Sequence, residues 1–190
     1  MTDPKDTLHL YLREAREAVL WKVQGLSERD LRWPHTPTGT NLLGLVKHLA
    51  GIEFDYFGET FGRPRPVDLP WMAEDAEDNA DMWATEEESA ESIIELYRQA
   101  CAHADETITA LDLEAPGHVP WWGNGDVTLQ RILVHVLAET SRHAGHADIV
   151  REQIDGAAGL RVGATNLPGG GEQWWADYVA KLRRVAEAAG

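Results

Sequence analysis

Residues 128–156 read TLQRILVHVLAETSRHAGHADIVREQIDG. Apolar side chains fall at Leu129, Ile132, Leu133, Val136, Ala147 and Val150, the spacing of a helix that buries one stripe. In the middle of that stripe, where Leu or Ile belongs, the chain places Glu139, Thr140 and His143. Glu139 and His143 are four apart and therefore lie one above the other on a single face. A carboxylate and an imidazole at the centre of a buried stripe are costly unless something satisfies them. A metal ion would do so, and so would a hydrogen-bonded acid/base pair.

Working outward, the same periodicity predicts a helix over about 5–24, with Leu8, Leu12, Ala15, Val19 and Val23 on one face and Gly25 closing it. Residues 27–31 can form one short turn. A second long helix begins at Thr40 or Asn41 and runs to about Phe61, with the stripe Leu42, Leu45, His48, Leu49, Ile52, Tyr56. His48 again sits where an apolar residue belongs. The segment from Arg63 to about Glu86 carries few signals of regular structure, although Trp71 and Trp83 can fold parts of it back. A third helix spans about 87–111, with Cys101 in its apolar stripe, where core packing is the expected role. Trp121 and Trp122 stand in a Pro/Gly loop, GHVPWWGNGD, before the fourth helix. After a second glycine-rich loop, residues 172–189 form a terminal helix with the stripe Trp175, Tyr178, Val179, Leu182, Ala186. No alternating strand pattern of useful length occurs. The expected architecture is all-α, one domain over 1–190: four long helices in a bundle and a fifth at the end.

Composition narrows the function classes. Lys plus Arg is 17 against 32 Asp plus Glu, a net charge of −15, which repels nucleic acid and anionic membrane surfaces alike. No apolar run reaches the roughly 20 residues of a membrane span, and the start MTDPKDTLHL lacks the charge and hydrophobicity of a secretory signal. Cys101 is the only cysteine, as suits a reducing compartment, and the chain is expected to be cytoplasmic. Nine acids and no Lys or Arg lie between Glu74 and Glu91, read as a solvated loop and helix start.

His48, Glu139 and His143 together resemble the way helical bundles build metal sites from inward His and Glu on facing helices. Three protein donors with a fourth position left open is the catalytic form of a zinc site, and nitrogen and oxygen donors also suit nickel, iron or manganese. Spacing alone leaves the set open. His135 lies four before Glu139 and His146 three after His143, on roughly the same face, and a metal-free hydrogen-bond network remains an alternative.

The segments LLGLVKHLAGIEFDYF and ILVHVLAETSRHAGHADIVREQIDG, with VPWW before the second, resemble the DinB-like superfamily of metal-binding four-helix bundles. The similarity runs from the first helix through the fourth. It is strongest to the actinobacterial branch of mycothiol-dependent enzymes and mycothiol S-transferases. Its most specific element is the run E-T-x-R-H-A-G-H-A-D. The resemblance implies His48, Glu139 and His143 as metal ligands. The chain departs from the commoner three-His pattern at Glu139, a place where the mycothiol-dependent maleylpyruvate isomerase family also has Glu. That family carries a further C-terminal domain that contributes to catalysis, so isomerase activity is not implied here. His135 and His146 are candidates to orient a ligand or carry a proton.

The activity this implies is a metal-dependent thiol transfer. A low-molecular-weight thiol, mycothiol, is deprotonated at the metal, zinc being expected, and attacks an electrophilic small molecule. His146 is the expected catalytic residue, accepting the thiol proton. Trp121 and Trp122 either rim the substrate mouth or simply pack over the bundle end. A hydrolase using metal-bound water and a non-catalytic metal-binding bundle are the alternatives, since one fold hosts many functions. The tryptophan-rich terminal helix and the habit of the family point to a homodimer.

Overall fold

The computed structural model describes residues 3–190. Four long helices form the bundle: α1 (Pro4–Lys22), α3 (Leu42–Phe57), α4 (Ala90–Ala110) and α5 (Leu129–Asp155), with the short α2 (Glu28–Arg32) between the first two. α3 packs against both α4 and α5, and α1 lies along α5. A sixth helix, α6 (Glu172–Glu187), follows a loop.

Local chemistry sets the helix ends. The Asp3 side chain accepts from Lys5 N at 2.7 Å, and Pro4, whose missing N–H costs nothing in the first turn, starts α1. Asn41 caps α3 through Gly44 N (2.7 Å), while Ser89 and Thr128 cap α4 and α5. Gly156 closes α5 at φ 76°, a left-handed conformation that glycine adopts without strain. α3 ends at Phe57 rather than Phe61, because the chain bends at Gly58 and continues as one 3₁₀ turn, Glu59–Phe61.

The core falls into two connected parts. Around Leu42, Leu45, Leu49, Ile93, Tyr97 and Val150, the first halves of α3 and α4 meet the end of α5. At the other end Leu12, Phe57, Ile108, Ile132, Leu133 and Val136 pack beneath a small hairpin, β1 (Pro116–His118) and β2 (Asp126–Thr128). Each fully buried Leu, Ile or Phe of these sets contributes on the order of 1.5–3 kcal/mol. The hairpin is absent from the periodicity because three-residue strands are too short to show alternation. Cys101 packs against the first part of the core, and burial pushes its thiol pKa up.

Charged groups are also buried. Arg16 of α1 donates to both carboxylate oxygens of the fully buried Glu53 on α3, at 2.7 and 2.6 Å, and to Asp105 of α4 at 2.6 Å. His9 meets the same Asp105 oxygen at 2.8 Å. This bidentate, fully donated arrangement is the geometry that makes burying an ion pair tolerable.

Two features lie outside the four long helices. The connection between α3 and α4, residues 58–89, is not a free loop: it lies against the face of α3 that carries Gly44 and Gly51. A Cβ on Gly44 would sit 1.8 Å from Met82 O, and one on Gly51 would sit 3.0 Å from Met72 Sδ. Asn41 Nδ2 donates to Met82 O (3.0 Å), and the buried Lys47 donates to Trp83 O (3.0 Å) and Glu88 (2.9 Å). The second feature is α6, none of whose residues is buried. Tyr178, Val179 and Leu182 of its apolar stripe, and Trp174 beside it, are exposed to solvent.

Candidate metal centre

His48 lies on the same face of α3 as Gly44 and Gly51, four residues after one and three before the other. The absence of side chains at both glycines lets the connection approach closely enough for Asp81 to reach the imidazole. Asp81 belongs to a single 3₁₀ turn, Ala80–Met82, and its Oδ2 is 2.6 Å from His48 Nδ1. Across the interface, α5 runs antiparallel to α3 and presents Glu139 and His143. Glu139 Oε1 is 3.0 Å from His143 Nε2 and 3.6 Å from His48 Nε2, and the two imidazole rings meet edge to face at 4.9 Å.

The hydrogen bond from His48 holds the Asp81 carboxyl below its usual range, so it is ionised at neutral pH and can only accept. Nδ1 of His48 must therefore donate, and in the neutral imidazole that leaves the lone pair on Nε2, the nitrogen turned to Glu139. Burial works to raise the Glu139 carboxyl, but its contacts with His143 and His48 outweigh that and hold it below the usual range. Burial lowers His143, and the neighbouring His48 lowers it further. A neutral imidazole and an ionised carboxylate are the forms that ligate metal.

One ligand atom from each of His48, Glu139 and His143 lies within 4.8 Å of the other two, a group that could hold a metal ion. The donor set fits such an ion on two counts. With His48 neutral, its Nε2 lone pair and the Glu139 carboxylate face each other at 3.6 Å, and a cation between them relieves their repulsion. Separations of 3.0 and 3.6 Å also bracket the roughly 3.3 Å edge of a tetrahedron with metal–ligand bonds of about 2.0–2.1 Å. The donors are only partly covered: the side chains of His143, His48 and Glu139 are 11%, 17% and 29% exposed.

The remaining histidines of α5 divide. His146 Nδ1 is 3.4 Å from His143 Nδ1, the ring nitrogen not turned to Glu139, and His146 is exposed. His135 is not part of the cluster; its ring packs against Tyr56 (4.8 Å) and Trp122 (4.9 Å). Asp81 was hidden within the acidic run read as solvated. Its one distinguishing mark is that Met82 and Trp83 follow it, the apolar pair that interrupts the acids and lies against α3. A cavity of about 620 Å³ lies elsewhere, between Asp148, Glu152, the loop around Asn166 and Trp175.

The description of the family model that matches residues 7–156 is mycothiol-S-transferase. The match takes in the whole bundle and stops where α5 stops, and the chain belongs to the mycothiol-S-transferase family, within the DinB-like bundles. Among solved structures it is similar to the crystal structure of a conserved protein from Enterococcus faecalis, with a TM-score of 0.61 at 16% identity. That similarity covers 83% of this chain and 100% of the other, and at such identity it speaks for the helical-bundle fold alone. No protein among those with curated descriptions matches significantly. No helix among the described residues is long and apolar enough to cross a membrane.

Proposed function

We propose that this member of the mycothiol-S-transferase family joins a low-molecular-weight thiol, mycothiol, to an electrophilic small molecule, at a divalent metal held by His48, Glu139 and His143. The observation that carries the proposal is the convergence of three donors around a lone pair that Asp81 fixes in place. Zinc is the metal this donor set suits best, and when bound it supplies one thing, a lowered pKa for a coordinated thiol.

The protein's own groups do the rest. Asp81 orients His48 and fixes its tautomer. Glu139 brings a negative charge that balances half of a divalent cation, where a third histidine would bring none. In this reading His146, which touches His143 and is open to solvent, accepts the thiol proton and passes it to water. The sulfur then forms a bond to the electrophilic carbon. Either the leaving group departs with its electron pair, or an activated double bond takes up the pair and a proton. The donors are partly exposed, so small substrates can reach them from solvent. The cytoplasm, a reducing compartment, keeps both the substrate thiol and Cys101 reduced. A homodimer would use the apolar face that α6 leaves exposed.

The test compares metal content and thiol consumption in wild type and Glu139→Gln. One equivalent of metal and metal-dependent transfer in wild type, both lost in the variant, is the expected result. A variant that keeps both would show that the site is wrongly placed.

A further inference from the structure

Tyr56 lies two turns beyond His48 on α3, and His135 one turn before Glu139 on α5. The same side of the α3–α5 contact therefore carries, about 6–12 Å further along, a group of aromatic rings. Tyr56 stands at its base, only 6% exposed, with His135 at 4.8 Å, Trp121 at 5.5 Å and Trp122 at 5.7 Å between ring centroids. The two tryptophans come from the tip of the β1–β2 hairpin and do different things. Trp122 packs into the lower core, under the Arg131 guanidinium at 4.8 Å. Trp121 belongs to neither part of the core and remains 53% exposed, yet it is held in place, its Nε1 donating to Tyr56 Oη at 3.4 Å. Packing over the bundle end thus accounts for Trp122, while Trp121, held against Tyr56, keeps half of its surface open. No carboxylate makes a hydrogen bond or ion pair to any of these rings' polar atoms among the described residues, in a chain of net charge −15.

We propose that Trp121, Tyr56 and His135 form the wall that receives the body of the electrophile, and that this body is flat and apolar, an aromatic or conjugated group. The proposal rests on the thiol-transfer reading of the metal centre. A pinned, half-exposed indole offers its face at little ordering cost, and stacking beyond simple burial gives selectivity for planar groups. The wall stands a helical turn or two from the donors, which places the reactive carbon of such a molecule toward the thiol and its ring system on Trp121.

The experiment uses the full chain loaded with zinc and compares wild type, Trp121→Ala, Trp121→Phe and, as a distant control, Trp33→Ala. Two electrophiles are offered, 1-chloro-2,4-dinitrobenzene and the small aliphatic iodoacetamide. The non-reactive 2,4-dinitroaniline is titrated calorimetrically. Trp121→Ala is expected to raise KM for the aromatic electrophile and Kd for dinitroaniline about three- to tenfold. Metal content and KM for iodoacetamide should stay unchanged, Trp121→Phe should recover most of the loss, and Trp33→Ala should resemble wild type. Equal values in wild type and Trp121→Ala, or no binding of dinitroaniline by wild type, would overturn the wall. Because the titration needs no turnover, absence of transfer with a surviving difference in Kd would count against the transferase reading while supporting the wall.

Discussion

α3 carries two polar residues that the hydrophobic pattern does not call for, Glu53 and His48, five residues apart and on different sides of the helix. Glu53 faces Arg16, whose guanidinium takes both its oxygens and reaches on to Asp105. Burial opposes the Arg16 charge, but Glu53 more than offsets this and its pKa is raised. Every strong acceptor there meets a donor. Around His48 the balance is different: Asp81 and Glu139 both face the imidazole, and among the described residues neither makes an ion pair with Lys or Arg. One cluster is complete in itself and specifies how α1, α3 and α4 dock. The other gathers three donors that a metal ion could join. Buried polarity alone does not mark a functional site; an excess of converging acceptors does.

The sharpest way to break this contrast is to remove His143. His143→Ala is expected to abolish both metal retention and thiol transfer while leaving the metal-free protein folded with a thermal midpoint close to that of metal-free wild type. Elemental analysis of chelator-washed protein after zinc reconstitution, with a melting curve beside it, reads both halves. A variant that unfolds without losing zinc would place His143 with the structural cluster instead.

Arg16→Ala should behave in the opposite way. Glu53 would be left buried and unpaired, at a cost of about 3–5 kcal/mol. Urea unfolding should show that loss, and the fraction still folded should hold its full equivalent of zinc. Asp81→Asn is expected to be milder. An amide can still meet His48 but no longer demands a proton on Nδ1, and zinc affinity should fall by about 10–100-fold with stability nearly unchanged. Competition with a chromophoric chelator measures it; affinity equal to wild type would leave Asp81 as a surface acid that happens to touch His48.

How far each region could be read beforehand follows from where its parts lie in sequence. The bundle was legible because α1, α3, α4 and α5 each keep a 3.6-residue stripe, and its breaks at His48, Glu139 and His143 marked the three residues that meet. What the stripe could not show is a partner from outside the helices. Asp81 sits in a single 3₁₀ turn among acids of like appearance, and it reaches His48 only because Gly44 and Gly51 let the connection approach. Arg16, Glu53 and Asp105 each look like ordinary charged positions at the edge of an amphipathic helix, and only the docking of three helices turns them inward. His135 shows the converse: it has the right spacing from Glu139, but α3 offers it Tyr56 instead of a donor. The stripe of α6 was read correctly as amphipathic, although periodicity does not say what covers it.

The smallest expected effect is the most discriminating. Replacing Arg16 and Glu53 together, Arg16→Met with Glu53→Leu, removes both buried charges and fills their space with apolar atoms. If the pair serves only to join α1 to α3, the double variant should lie within about 1–2 kcal/mol of wild type, on either side, recovering most of what Arg16→Ala loses. Asp105 would keep His9 and, being 37% exposed, water. Zinc content and transfer should be those of wild type. The equivalent exchange at the other cluster, apolar residues for Glu139 and His143, could also preserve the fold but would abolish metal binding. A double variant at Arg16 and Glu53 that folds yet loses zinc would mean that the two polar faces of α3 are coupled through the helix, and that the structural cluster helps hold His48 in register with α5.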